Sequence, residues 1–261
     1  MTWRLSVSII LFAIMMILPV LWLIGQSLQR GPGLFPTAPT LANYHYILTD
    51  PDWYRGYLNA VIHVSLNVLL SVAVAIPAAY AFARFRFAGR GALFFALLMF
   101  RMMVPAILLV PFVQIFSAVG LIDTHIAVAL AHAFFTVPLA IWILEGFISA
   151  VPVEIDESAR ADGYGIAGFF GIVLLPMIAP GIATAAFFCF MFSWVEFLLS
   201  NALTTIDAKP FGGIMSRVGN VLNAYLPLLA AGGVLGLLPG ALLAALMRRH
   251  LARGFSLGRV S

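Results

Sequence analysis

The sequence predicts an all-α membrane protein with six transmembrane helices, and two observations carry that reading. The chain is 63% hydrophobic and 9% charged, with a mean hydropathy of +1.06, whereas a soluble globular domain carries about 25% charged residues. So few charges leave too little polar surface to cover a water-soluble chain of 261 residues. The apolar residues are also gathered into six runs, at about 6–24, 58–82, 91–119, 126–149, 173–199 and 226–247. A bilayer crossing needs roughly 20 apolar residues, so each run is long enough to span.

The first run follows Arg4 and so resembles a signal peptide. Its core exceeds the usual length of about 7–15 residues and no small-residue cleavage site follows, so it reads as a retained helix. Residues 26–57 hold Gly31-Pro32-Gly33, Pro36 and Pro39, then Leu41-Ala42-Asn43-Tyr44. That is turn and extended punctuation leading into a short surface helix. The second run carries Asn59, His63 and Asn67 at i, i+4, i+8 on one face. A polar stripe of this kind usually binds helices together, with solute contact as the alternative.

Ionisable residues inside spans are costly and usually face a cavity or a partner. Arg101 lies ten residues into the third run, just before Met102-Met103-Val104-Pro105. An internal ion pair or a cavity role would explain it equally. Glu145 near the end of the fourth run and Glu196 near the end of the fifth are close enough to an interface to snorkel. The fifth run is rich in aromatics, with Phe187, Phe188, Phe190, Phe192 and Trp194. A solute path is sought among Asn59, His63, Asn67, Arg101, Phe192, Trp194 and Glu196. Pro105, Pro111, Pro138, Pro176, Pro180 and Pro239 each remove a helix hydrogen bond. In lipid the freed carbonyl needs a neighbour, so these kinks face protein or water. Gly232-Gly233, Gly236 and Gly240 give the last run a small-residue face, a candidate interface with a second membrane subunit. No linker, low-complexity tract or inverted repeat divides the chain, so residues 1–261 read as one transmembrane domain.

Orientation follows from the cations at the ends of the runs. With the N-terminus inside, nine lie on the cytoplasmic side: Arg4, Arg84, Arg86, Arg90, Arg160, Arg248, Arg249, Arg253 and Arg259. Four lie outside: Arg30, Arg55, Lys209 and Arg217. Both termini and the loop at 150–172 are therefore expected in the cytoplasm. This placement also accounts for the net charge of +4 without nucleic acid.

Several chemistries are excluded. Cys189 is the one cysteine, so neither a disulfide framework nor a cysteine metal cluster exists. His45, His63, His125, His132 and His250 are scattered; His125 and His132 share a face but lack a third ligand. H-E-x-x-H and G-x-S-x-G are absent, and no catalytic residue, metal site or bound cofactor is expected. A P-loop needs a lysine after its glycines, but Lys209 stands between Ala208 and Pro210, so this chain handles no ATP.

The loop is the most informative segment. Glu154, Asp156, Glu157 and Asp162 place four of the chain's ten acids within nine residues. Pro152 suits a helix start, the acids complement the N-terminal end of its dipole, and Gly163 and Gly165 end it. An amphipathic stretch with Ile166, Phe169 and Phe170 then leads into the fifth run.

Glu157-Ser158-Ala159, Gly163 four residues on, then Val173, Leu175 and Pro176 resemble the E-A-A-x3-G-x9-I-x-L-P motif of binding-protein-dependent ABC importer permeases. Ser158 and Val173 are conservative departures from it. Ala78-Ala79-Tyr80-Ala81-Phe82-Ala83-Arg84 with Phe87, Gly89 and Arg90 resembles the A-A-Y-A-L-A-R-x-x-F-x-G-R passage of carbohydrate-type permeases. Trp194-Val195-Glu196-Phe197 resembles their W-N-E-F, and Arg253 to Gly258 their R-G-L-T-x-G ending. The resemblance runs from about Leu41 to the C-terminus and points to the smaller, maltose-type permease subunit.

It implies the type I importer permease fold, with a cytoplasmic coupling helix between helices 4 and 5. The residues implied in coupling are Glu154, Glu157, Ser158, Ala159, Asp162, Gly163, Leu175 and Pro176. The implied partners are a second homologous permease, two ATPase subunits that use ATP and Mg, and an extracytoplasmic solute-binding protein. The implied place is the bacterial inner membrane, and the implied cargo a neutral sugar, polyol or glycerol-like solute. Alternatives are a permease for another solute class such as amino acids, or an energy-independent channel or secondary transporter. The latter would need no acidic docking helix.

Overall fold

In lipid a backbone N–H finds a partner only within its own helix or on a neighbouring element, so apolar runs of this length become helices. The computed structural model describes residues 2–31, 39–219 and 226–256, with side chains for 8–31, 39–219 and 226–247. Among them every regular element is helical. Pro32, Gly33, Pro36, Leu257 and Gly258 lie outside the described residues. Four helices are each long and apolar enough to cross a membrane, and two bent pairs supply two more if each pair is one span. The residues fall into two compact units, 1–58 with 210–241 and 59–209 with 242–261.

The first unit contains α1 (Thr2–Ser27), α2 (Ala42–Thr49), the first turns of α3 (Pro51–Arg84), α12 (Phe211–Gly219) and the first half of α13 (Leu226–Ser256). The expected surface helix is α2. Asn43 Nδ2 ties it to the end of α1 by donating to the carbonyls of Ser27 and Gln29 at 2.9 and 2.7 Å. Trp53 and Tyr57 meet the Phe211 ring edge-on. Two of the small residues of α13 pack within the chain: a Cβ on Gly232 would lie 3.2–3.3 Å from Met215 and Trp53, and one on Gly233 3.4 Å from Leu23.

The second unit is built around α6 (His125–Ser149), the most enclosed of the four long helices. Around it stand the rest of α3, α4 (Arg90–Met102), α5 (Pro105–Ala118), α10 (Ala179–Val195) and α11 (Leu198–Leu203). Between α6 and α10 lie α7 (Val153–Ala161), α8 (Ile166–Gly168), a π-helical turn (Phe169–Leu174) and α9 (Leu175–Met177). One core joins Ala75, Ala79 and Phe82 of α3 to Ile141, Leu144 and Ile148 of α6 and to Leu174, Ile178 and Ala185. A second joins Phe116 of α5 to Val128 and Phe135 of α6 and to Leu199 and Leu203 of α11.

Three expected spans change shape. The second run is the interior of a longer helix that starts at Pro51, seven residues before the apolar stretch. The third run is two helices bent by 94°. Pro105 lacks an N–H and pushes Val104 into extended geometry (φ −73°, ψ 125°), which stops the helix there. The fifth begins earlier than expected, at Ile166, bends by 80° at Ile178 and stops at Val195, with α11 set off as a separate helix. In the π turn the i→i+5 winding puts Phe169 and Leu174 on one inward face, though an α-helix would splay residues five apart.

α10 lies against α6 with no room for a side chain at Gly181, where a Cβ would stand 2.5 Å from Phe147 Cγ. Gly181→Ala should therefore overpack this contact and cost about 1–3 kcal/mol. Gly146→Ala on α6, with nothing within 4 Å, should be neutral or gain up to about 1 kcal/mol from helix propensity. Melting curves of the two purified variants in detergent test this; equal midpoints would show that the contact yields freely.

Candidate functional site

The acidic segment forms α7, with Pro152 at its N-cap and Glu154 and Asp156 in its first turn, where carboxylates oppose the positive end of the helix dipole. Its far end closes on Gly163, whose φ of +85° is left-handed. Tyr164 N–H donates to Ala159 O at 3.0 Å and Gly163 N–H to Arg160 O at 3.1 Å. These are the paired bonds of a Schellman cap, and a Cβ at the left-handed position costs roughly 1–2 kcal/mol. A Cβ on Gly163 would meet nothing within 4 Å. The demand for glycine is therefore conformational.

α7 has two faces of different character. Asp156 and Ala159, three residues apart, are buried. Glu154, Glu157, Ser158, Arg160, Asp162 and Gly163 are exposed, and Val153, Tyr164 and Ile166 stand exposed beside them. Asp156 is clamped: Arg84 Nε donates to Oδ2 at 2.9 Å, Arg84 Nη2 to Oδ1 at 3.3 Å and Tyr80 OH to Oδ2 at 2.9 Å. Arg84 Nη2 also donates to the carbonyl of Val151, just before the helix, at 2.9 Å. Ala159 belongs to the core that includes Tyr80, Phe169 and Leu174, so its small side chain lets α7 lie close. Of the Leu-Pro landmark, Leu175 is half-buried against that core and Pro176 is exposed.

The residues of the expected solute path are drawn largely into internal contacts. Asn59 Nδ2 donates to the carbonyls of Asp207 and Lys209 at 2.9 and 3.0 Å. Asn67 Nδ2 donates to Ala129 O at 3.2 Å and to Thr136 Oγ1 at 3.0 Å. His63 is buried with its ring centroid 5.0 Å from that of His125. The stripe on α3 thus binds it to α6 and to the segment after α11. Glu196 does not snorkel: its carboxylate accepts the N–H groups of Leu198, Leu199 and Ser200 at the start of α11. His132 Nε2 lies 3.0 Å from Glu196 Oε2, and His132 Nδ1 lies 2.7 Å from Ser193 Oγ. Arg101 sits with its guanidinium carbon 5.0 Å above the Phe192 ring, and that ring meets His132 edge-on. Arg101, Phe192, His132 and Glu196 therefore form one continuous polar-aromatic group, while Trp194 stacks on Phe190. Glu145 meets Arg90 at 3.5 Å and Ser149 at 3.1 Å.

Two structural anchors escape sequence reasoning. Asp156 looks like one more acid in a solvated cluster, and its partner Arg84 is 72 residues away. Asp123, in the turn between α5 and α6, is the other. Its carboxylate accepts the N–H groups of Thr205, Ile206, Asp207 and Ala208 and the Thr205 hydroxyl. It thereby shapes the segment after α11.

Residues 71–257 match the model of the binding-protein-dependent transport system inner membrane component family. The chain belongs to that family. It is a permease of the binding-protein-dependent importers, a transport protein and no enzyme. This permease is 29% identical over 252 residues to the trehalose transport system permease protein SugB of Mycobacterium tuberculosis, covering 94% of this chain and 92% of that one. It is likewise 29% identical over 251 residues to the sulfoquinovosyl glycerol transport system permease protein SmoH of Agrobacterium fabrum, covering 92% and 87%. Its fold is similar to a chain in the crystal structure of a bacterial ABC transporter involved in the import of the acidic polysaccharide alginate, with a TM-score of 0.79, 18% identity and 95% of both chains covered. The fold is the type I importer permease fold.

Burial raises the Asp123 carboxyl, yet the Thr205 hydroxyl and the amides of Ile206, Thr205 and Asp207 outweigh it and hold it well below the ordinary carboxylate value. A depressed folded-state value means that the stabilisation is complete above about pH 4, the unfolded value, and is lost as pH falls through the folded one. Asp123→Ala should thus raise amide exchange at residues 205–208 by about ten-fold or more at neutral pH. Wild-type protection there should be flat from about pH 8 to 5. Hydrogen exchange by mass spectrometry reads both, and unchanged exchange in the variant would remove Asp123 as the anchor.

Proposed function

We propose that this permease forms the translocation path of a bacterial inner-membrane ABC importer together with a second, homologous permease. Two ATPase subunits, which bind ATP and Mg, dock on the exposed face of α7, and an extracytoplasmic binding protein delivers the solute. The observation that carries this reading is the two-faced α7, fastened to the bundle by Asp156 and Ala159 while Glu154, Glu157, Ser158 and Asp162 face outward. A merely solvated loop would need no such fastening. The cation asymmetry supports cytoplasmic termini and a cytoplasmic α7.

ATP-driven closure of the ATPase pair moves α7 and rocks the bundle, so the path opens alternately to either side. The cargo is a sugar, polyol or glycerol-like solute, as the names of the trehalose and sulfoquinovosyl glycerol permeases support. Arg101 and Phe192, both half-buried, are the pair placed best for solute contact, since a guanidinium and an aromatic face suit hydroxyl-rich rings; buried His132 and Glu196 stand behind them.

Affinity purification of the chain co-expressed with its transport partners tests the docking. Wild type should retain the ATPase subunits, and Glu157→Lys combined with Gly163→Val, which reverses an outward charge and breaks the left-handed cap, should lose them. Full retention with undiminished ATP-dependent uptake would move the docking surface away from α7. A wild type that retains no ATPase and takes up solute without ATP would favour a stand-alone channel or secondary transporter. Calorimetric titration of the partner binding protein should give binding with a disaccharide or glycosyl-glycerol; binding of amino acids alone would change the cargo class.

A further inference from the structure

α7 is joined to the rest of the chain through two turns, residues 150–152 and 162–165, and the second contains Gly163 and Gly165. A push on a short helix between such turns would be absorbed by turning it in place unless something fastens it laterally. The fastening is Asp156, the fourth of the nine residues of α7. Its partners Tyr80 and Arg84 are i, i+4 neighbours in the last turn of α3 and so present one face.

The geometry is that of a rigid joint. Arg84 makes two parallel bonds to the carboxylate, through Nε and Nη2, and this fork geometry fixes orientation as well as distance. The same Nη2 holds the carbonyl of Val151, so one guanidinium grips both the middle of α7 and the residue that leads into it. Tyr80 OH occupies the remaining side of Oδ2, and its ring is packed edge-on by Phe169 and Phe170 of the π turn. The Arg84 and Asp156 side chains are 8% and 5% exposed, so water does not compete for the bonds. From Arg84 the helix runs on through Pro77, which removes one backbone hydrogen bond without ending it, to Ser71 and Asn67, which are hydrogen-bonded to Thr136 of α6. A displacement of α7 therefore meets a helical route into α3 and, through the Thr136 bonds, into α6.

We infer that Arg84, Asp156 and Tyr80 are positioning residues of the transport cycle: their clamp transmits movement of the docking helix into α3. This rests on the reading of α7 as the ATPase-docking helix. The clamp touches neither nucleotide nor solute, and its loss leaves the outward acids in place. It acts on the coupling of hydrolysis to transport and not on docking.

The test uses the whole importer in proteoliposomes, with the binding protein and its solute, and reads solute imported per ATP hydrolysed. Asp156→Asn and Arg84→Lys should keep the ATPase subunits and hydrolyse ATP, while the ratio falls roughly five-fold or more. A role confined to stability would lower hydrolysis and import together and leave the ratio unchanged. A second variant guards against misfolding: Arg84→Cys with Asp156→Cys, in a chain whose buried Cys189 is replaced by Ala. Bridging the two thiols with a short bifunctional reagent should raise the ratio of the same preparation toward wild type. A wild-type ratio in the single variants, or no change on bridging, overturns the inference and leaves docking intact. A wild-type chain that retains no ATPase overturns docking itself, and the inference with it.

Discussion

A peptide N–H in lipid has no water to turn to, and this need governs where the structure is continuous and where it breaks. Some of the breaks in the helices have a side-chain acceptor. The amides at the start of α11 go to the Glu196 carboxylate, and Ala127 N–H at the start of α6 goes to Thr124 Oγ1. The amides of residues 205–208 go to Asp123. Proline positions the break at Val104, since a residue that precedes proline is driven out of helical geometry. At Thr124, Glu196 and Asp123 helix interruption and polar placement are thus linked, because a hydroxyl or carboxylate stands where amides are freed.

The same economy explains why so few of the polar side chains in the spans are left for solute. Asn67, Ser71 and Thr136 bind helix to helix, and Asn59 binds α3 to the segment after α11. In an apolar medium these bonds replace the hydrophobic drive that water would supply. Arg101 differs, since it lies at the end of α4 beside the 94° bend and its guanidinium rests on an aromatic face. α7 also separates its duties by face: Asp156 and Ala159 attach it, while its other acids remain in water.

Much of this was legible in the sequence because lipid leaves few solutions. The first, fourth and sixth apolar runs, the short helix at Ala42–Thr49 and the glycine-terminated acidic helix all appear as helices where composition and punctuation place them. The bounds were less legible. α3 begins at Pro51 because proline and Asp52 suit a first helical turn whether or not the residues are apolar. The π turn left no mark in the periodicity, since one additional residue per turn is visible only once Phe169 and Leu174 are seen on one face. Glu196, near the end of its run, had the sequence position of a snorkelling acid. Only the fold sets it beside His132 and the first amides of α11.

The sequence by itself determined the membrane class, the acidic helix and the family, because hydropathy, helix caps and motif spacing are local properties. Tertiary structure decided which acid of α7 is buried and which helix it grips. Asp156 and Glu157 are adjacent and chemically alike, yet one turns inward to Arg84 and Tyr80 and the other faces water. The reason is geometric: a step of about 100° along a helix separates neighbours onto different faces. Which face meets α3 depends on how α7 is laid against a helix that lies 72 residues away in the chain.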